Sequence, residues 1–286
     1  MQGREGISGK IEHMNERSLE LLDYAHRKVE ELSQHPVLSR YWSELTVVVK
    51  GSTSRGNADE YSDVDLVLFC TAETRCKIVA GYYENGLTKR QDGIFMFFEN
   101  GHYHVESYDQ LRDYFTRQDF VHAWDYAKAL PLHDPQDLYP GIIQAGLKTL
   151  FADPLALVKR AYLDLQLDLD WMRMPITRAD GPSTLQHASK LLAGVSRMAY
   201  LLDRQPYPAD KWLFAFLETT AFGGQHQAAI LDYFADCPAV LSLVRDEPSE
   251  QNPLYRGAAG LIERVAEAIR EQYGEQAWLG PWYDYV

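Results

Sequence analysis

A chain of 286 residues, 46% hydrophobic and 12% aromatic, has room for two domains of ordinary size and enough apolar side chain for a sizeable core, which excludes a disordered polymer. Its formal net charge of -13, from 28 Lys+Arg against 41 Asp+Glu, argues against a long nucleic-acid partner, which asks for a basic surface. Three cysteines, Cys70, Cys76 and Cys237, make no CxxC pair and no even set, so neither a disulfide framework nor a cysteine zinc site is indicated.

The N-terminal stretch MQGREGISGKIEHMNERS lacks the apolar segment of a signal peptide, and no apolar run approaches the ~18 residues of a membrane span. A cytoplasmic location without a membrane partner is the expectation. Ile11, Met14, Leu19, Leu21, Leu22, Ala25 and Val29 fall near helical spacing and predict a helix over 10–33. LTVVVK (45–50) and DVDLVLF (63–69) are apolar or β-branched runs bounded by turn formers, hence strands. GIFMFFEN (93–100) and YHVESY (103–108) flank Asn100-Gly101 and predict a hairpin, while AKALPLHDP (127–135), with a proline inside it, predicts an edge strand. Beyond Pro140-Gly141 the pattern turns helical. Ser183 followed by Gln186 reads as a capping box after Pro182. It opens a helix with an apolar stripe of Leu185, Ala188, Leu192, Val195, Ala199 and Leu202, stopped by Pro206. The fold class that follows is α+β, with a sheet and helices over 1–140 and an all-helical domain over 141–286.

The chemistry concentrates in KGSTSRGNADEYSDVDLVLF (50–69). Residues two apart on a strand share a face, so Asp63 and Asp65 point one way while Val64, Leu66 and Leu68 point into the core. Two carboxylates on one face repel each other unless a cation lies between them. At the head of a buried strand such a pair is a seat for Mg²⁺, which takes one or two carboxylates plus phosphate oxygens. A turn cap at Asp63 and an exposed edge at Asp65 would account equally well for the pair taken alone. The flanks favour the metal. Gly51-Ser52 directly follows a strand, where glycine lets the backbone approach a phosphate. Ser52 adds a hydroxyl donor and Arg55 a guanidinium fork. The order is not GxxxxGK[ST], so this is not a Walker A loop.

GSTSRGNADEYSDVDLVLF resembles the GS-(x)n-G-(x)n-SDxDL signature of the nucleotidyltransferase superfamily related to DNA polymerase β. Within it the stretch looks most like the small bacterial aminoglycoside and lincosamide nucleotidyltransferases. The resemblance implies a polymerase β-like mixed sheet, nucleotide-binding roles for Gly51, Ser52 and Arg55, and metal ligation by Asp63 and Asp65. It also implies a third carboxylate on a later strand, which YHVESY supplies as Glu106. Asp63, Asp65 and Glu106 would then be the catalytic set, holding two Mg²⁺ ions against the triphosphate of ATP or another NTP. A helical domain would close the nucleotide cleft, with Lys211 in PADKWLF as its triphosphate lysine. The expected reaction moves a nucleoside monophosphate, AMP from ATP, onto a hydroxyl of a small molecule, with an aminoglycoside-type antibiotic as leading acceptor, in a monomer or homodimer. The alternatives are a protein-modifying or signalling nucleotidyltransferase of the toxin–antitoxin type, and a catalytically silent nucleotide-binding module.

Other constellations compete for attention. His102, His104 and Glu106 in HYHVE alternate onto one strand face, which would also suit Zn²⁺ or another first-row metal, unless they are simply a polar edge. Lys190, Arg197 and Arg204 recur at sevenfold spacing, and Asp164 and Asp168 share a helix face. Each reads either as a ligand-facing stripe or as a solvated surface.

Overall fold

The computed structural model describes residues 14–286, so Ile11 and the start of the expected first helix lie outside the described residues. The chain separates into two units, Met1–Leu150 and Phe151–Val286.

The first unit is a mixed five-stranded sheet of order β3-β4-β2-β1-β5 with helices packed on it. Its strands are β1 (Thr46–Lys50), β2 (Val64–Cys70), β3 (Phe95–Phe98), β4 (Gly101–Ser107) and β5 (Leu130–His133). All neighbouring pairs are antiparallel except β2 with β4, which is parallel. A parallel pair needs a long crossover. Here the crossover contains the helix α3 (Ala72–Glu84) and the edge strand β3. The strand with an internal proline, β5, lies at the opposite edge, where Pro131 costs no ladder bond on its open side.

Helix α1 (Glu16–Ser33) starts at Asn15, whose Oδ1 accepts from the Ser18 N–H at 2.8 Å. It buries Leu21, Leu22, Ala25, Val29 and Leu32, whereas Leu19 is exposed. These side chains meet Val47, Val49, Val64, Leu66 and Leu68 on one face of the sheet. A fully buried leucine such as Leu66 contributes about 1.5–3 kcal/mol of transfer free energy. On the other face Val67 and Phe69 are equally buried, so β2 is covered on both sides beyond Asp65. Phe69 lies 5.4 Å from Tyr126, edge to face, and 6.3 Å from Tyr108. These tyrosines belong to α4 (Tyr108–Thr116) and α5 (Phe120–Lys128), between β1 and which the short helix α2 (Gly51–Arg55) is placed; α6 (Tyr139–Leu150) packs on α4.

The hairpin expected around Asn100-Gly101 is present, but its register pairs Phe98 with Gly101, so Glu99-Asn100 is the turn. Gly101 is the first residue of β4, and a Cβ there would sit 2.1 Å from the Val64 carbonyl oxygen. Its role is close backbone approach between β4 and β2.

The second unit has no strand among the described residues. Its long helices are α7 (Pro154–Thr177), α8 (Gly181–Leu202), α9 (Ala221–Ala235) and α10 (Pro253–Tyr273). Helix α8 is capped by Asp180, which accepts from the Ser183 N–H at 3.1 Å, rather than by a Ser183–Gln186 box. The helix therefore begins one turn early, and Leu185 stays exposed outside the apolar stripe. No single helix among the described residues is long and apolar enough to cross a membrane.

His35, just after α1, supplies a titratable element of the first unit. Its ring stacks on Tyr82 at 4.9 Å, and its Nδ1 accepts from the backbone N–H groups of Val37 and Leu38 at 3.2 and 3.4 Å. An imidazolium has no lone pair left for those bonds. Burial, reinforced by the Lys28 ammonium, holds the His35 pKa below its ordinary value. A depressed pKa means that the unfolded chain binds this proton more readily. The contribution is thus complete above the unfolded value of roughly 6.5 and is lost as pH falls through the folded pKa. Denaturant unfolding followed between about pH 7.5 and 5.5 is expected to show a loss of stability that is smaller in His35→Asn, whose amide oxygen keeps an acceptor without titrating.

Candidate active site

Asp65 is the second residue of β2, and Asp63 immediately precedes the strand. In the parallel ladder Asp65 pairs with His102, and in the antiparallel ladder on its other side it pairs with Lys50. The two neighbours therefore deliver one imidazole and one ammonium to the aspartate row. The His102 ring lies between the carboxylates, with Nε2 3.1 Å from Asp65 Oδ1 and Nδ1 3.8 Å from Asp63 Oδ2. One donor atom from each of Asp63, Asp65 and His102 lies within 4.8 Å of the others, a spacing that a single metal ion can span.

The turn expected to receive phosphate abuts this group. Gly51 and Ser52 open α2 directly after β1. Gly51 has φ of 76°, in the left-handed region, and a Cβ there would fall 2.6 Å from Asp65 Oδ2. Backbone and carboxylate are thus nearly in contact, and only glycine fits. The Thr53 hydroxyl donates to the Asp63 carbonyl at 3.2 Å and fixes α2 against the entry to β2.

Burial pushes the Asp65 carboxyl above the usual carboxylate range. Lys50 and His102 offset part of that, while Asp63 and Asp125 add to it. Burial therefore disfavours the charged form of Asp65, and its neighbours compensate only in part. That is the condition a divalent cation relieves, and two carboxylates with one imidazole are a donor set such a cation accepts.

The remaining expected residues are distributed differently. Arg55 is almost fully buried, its guanidinium 3.3 Å from Asp125 and 5.0 Å from the Trp124 ring. Its fork is already engaged by a carboxylate. Lys211 lies in the second unit on the short helix Asp210–Leu213, with its ammonium 5.9 Å from the Trp212 ring. Glu106 departs most from the expectation. It pairs with Phe69, four residues beyond the Asp65–His102 pair, a separation of roughly 13 Å along a parallel strand. Its Oε1 is held by His104 Nε2 at 3.1 Å and by the Tyr114 hydroxyl at 3.3 Å. Burial would raise its pKa, but the hydrogen bonds from His104, Tyr126 and Tyr114 outweigh it and leave the pKa below the ordinary value. Glu106 is therefore outside the Asp63–Asp65 group. His102, His104 and Glu106 do not converge on one point either, because His102 turns to the aspartates and His104 to Glu106.

Three residues beside the aspartates were not singled out for them from the sequence. His102 was read only with His104 and Glu106. Lys50 stands immediately before Gly51, yet nothing local distinguishes it from a strand-end lysine. Asp125, 3.6 Å from Lys50 and 3.3 Å from Arg55, comes from α5 and carries no sequence signal.

In the second unit, Asp164, Asp168, Trp171, Lys190, Arg197 and Tyr207 line an open cleft of about 630 Å³ between α7 and α8. Lys190 lies 4.0 Å from Asp168, and Arg197 is 2.7 Å from Asp210. Of the expected basic stripe, Lys190 and Arg197 are thereby matched by carboxylates, while Arg204 lies beyond the end of α8 with a φ of 54°.

Residues 35–137 match the nucleotidyltransferase domain family. No curated protein matches the chain. Among solved structures, a nucleotidyltransferase-like protein from Exiguobacterium sibiricum is similar at 10% identity over 85% of this chain and 80% of its own, with a TM-score of 0.48. The assignment rests on the domain match, whose span contains Gly51, the aspartate pair and His102: residues 35–137 form a nucleotidyltransferase domain.

Proposed function

We propose that this nucleotidyltransferase moves AMP from ATP onto a hydroxyl of a small molecule of the aminoglycoside type, with divalent cations held by Asp63 and Asp65. The observation that carries the proposal is the convergence of Asp63, Asp65 and His102 against the Gly51 backbone. The acceptor oxygen forms a bond to the α-phosphorus, the bond to pyrophosphate breaks, and the hydroxyl proton is lost. A divalent ion held there would neutralise triphosphate charge and acidify an oxygen bound to it.

The chain's own residues position the reactants. Gly51 lets the backbone turn tightly against Asp65, and Ser52 offers a hydroxyl to a phosphate at the same turn. Lys50 adds positive charge, with Asp125 holding both it and Arg55 in place. Positioning and charge stabilisation of this kind account for most of the rate in phosphoryl transfer. The small-molecule acceptor is the reading favoured by the resemblance of residues 51–69 to the small bacterial nucleotidyltransferases.

Pyrophosphate release from each NTP, measured with a divalent cation across aminoglycosides, lincosamides and a metabolite extract, tests the reading. ATP with an aminoglycoside-type acceptor is expected to give turnover that Asp63→Ala abolishes. Turnover confined to a protein fraction, with a nucleotidyl mass increment on the modified protein, would replace the small-molecule acceptor with a protein one.

Two of the three expected carboxylates, Asp65 and Glu106, separate in a second test. Asp65→Asn is expected to lower kcat by roughly 10²–10³-fold, the scale for losing one charge-stabilising group at a reacting centre. Glu106→Gln is expected to leave divalent-cation affinity unchanged while lowering stability by about 1–3 kcal/mol, since it disturbs a buried hydrogen-bonded carboxylate. Pyrophosphate-release kinetics measure the first effect, and calorimetric titration of the cation with denaturant unfolding measures the second.

A further inference from the structure

We infer that His102 is a direct metal ligand and that the site consequently selects a first-row ion, Mn²⁺, over Mg²⁺. The inference rests on the reading of Asp63 and Asp65 as cation ligands and goes further by naming the third donor and the ion.

The position opposite Asp65 on β4 is the one from which that strand can add a donor to the aspartate pair, and a nitrogen occupies it. Glu106, the carboxylate that would have made the set all-oxygen, is roughly 13 Å further along the strand and already bound by His104 and Tyr114. The His102 ring is also held in place before any ion arrives. It stacks on Phe95 at 4.5 Å with an interplanar angle of 23°, and its two nitrogens face the two carboxylates. Little side-chain freedom remains to be lost on coordination.

The donor set decides the ion. Mg²⁺ prefers hard oxygen ligands in near-ideal octahedral geometry and keeps several waters. Replacing a carboxylate by a neutral imidazole removes one negative charge and one hard oxygen from its shell. First-row ions gain from the nitrogen, and Mn²⁺, though it gains least in that series, shares with Mg²⁺ the octahedral, oxygen-accepting shell that a triphosphate requires. A histidine that only bridged two repelling carboxylates would sit in the same place without ever touching the ion.

Pulsed electron paramagnetic resonance on the full chain with Mn²⁺ alone separates these cases. The expected result is ¹⁴N modulation from a directly coordinated imidazole, absent in His102→Ala and in Asp65→Asn. Competition titrations are expected to show His102→Ala weakening Mn²⁺ binding by at least about 10-fold, since even removing an outer-shell partner costs roughly 10–100-fold. In the same titrations, His102→Asp should shift the preference back toward Mg²⁺. Mn²⁺ bound to the wild-type chain without ¹⁴N coupling overturns the inference while leaving the Asp63–Asp65 site standing, and so does coupling that survives His102→Ala. Mn²⁺ binding unaffected by Asp65→Asn overturns both. The wild-type spectrum needs no variant to fold, and unfolding midpoints check the rest.

Discussion

The parallel pairing of β2 with β4 is the constraint on which the site depends. It is set where Gly101 passes Val64 so closely that no side chain fits between them, and where the Val64 N–H donates to the Asn100 carbonyl at 2.9 Å. From that point the register follows residue by residue, Asp65 to His102 and Leu66 to Tyr103. A slip of one residue would turn His102 into the core and bring Tyr103 to the aspartates. Tyr103 resists the slip. It is buried in the α1 face of the sheet, with its hydroxyl 2.9 Å from that of Tyr82 on α3. A buried pair of aromatic hydroxyls on one face therefore determines which donor reaches the carboxylates on the other.

The aspartate pair is held against its own electrostatics. Asp65 is crowded by the Gly51 backbone and by Asp63, and burial raises its pKa. With the pKa above its unfolded value, the native state binds the proton more readily than the unfolded chain. The stability associated with that proton is present at low pH and is lost as pH rises through the folded pKa. At neutral pH the deprotonated Asp65 carboxylate is thus a local destabilisation, tolerated because both faces of β2 beyond it are packed. Lys50 and His102 compensate only in part. Conflict between local preference and global fold is the usual mark of a functional position.

Much of the first unit was legible in the sequence because its signals are local. Alternation on β2, the glycine after β1 and the proline in β5 each act within a few residues, and each appears where expected. The same holds for the adjacency of Gly51 to the aspartates, which follows from one antiparallel hairpin-like pairing of β1 with β2. What could not be read was register across the long crossover from Cys70 to Gly101. Nothing in HYHVE states which of its residues faces Asp65. Asp125 and Lys50 are illegible for a similar reason, since their meeting depends on how α5 lies on β1. The Asp180 cap of α8 was missed for a smaller reason. Asp180 and Ser183 are both good caps one turn apart, and the pattern alone does not choose between them.

HYHVE illustrates how far strand geometry separates residues that sequence places together. Its three polar side chains share a face, but two residues of strand advance about 6.6 Å, and a metal ion reaches its ligands at about 2.0–2.6 Å. Three donors spread over four residues of one strand, roughly 13 Å, therefore do not close around one ion. A compact donor set needs residues from neighbouring strands at the same level, as Asp65 and His102 are. The face consequently divides into two assemblies: His102 joins the aspartates, and His104 with Glu106 joins the tyrosines of α4 and α5. Since Asp65 has Lys50 on its other side, any neutral or anionic donor supplied by the adjoining ladders has to come from position 102. The residue there would then set both the charge and the softness of a cation site built on Asp63 and Asp65.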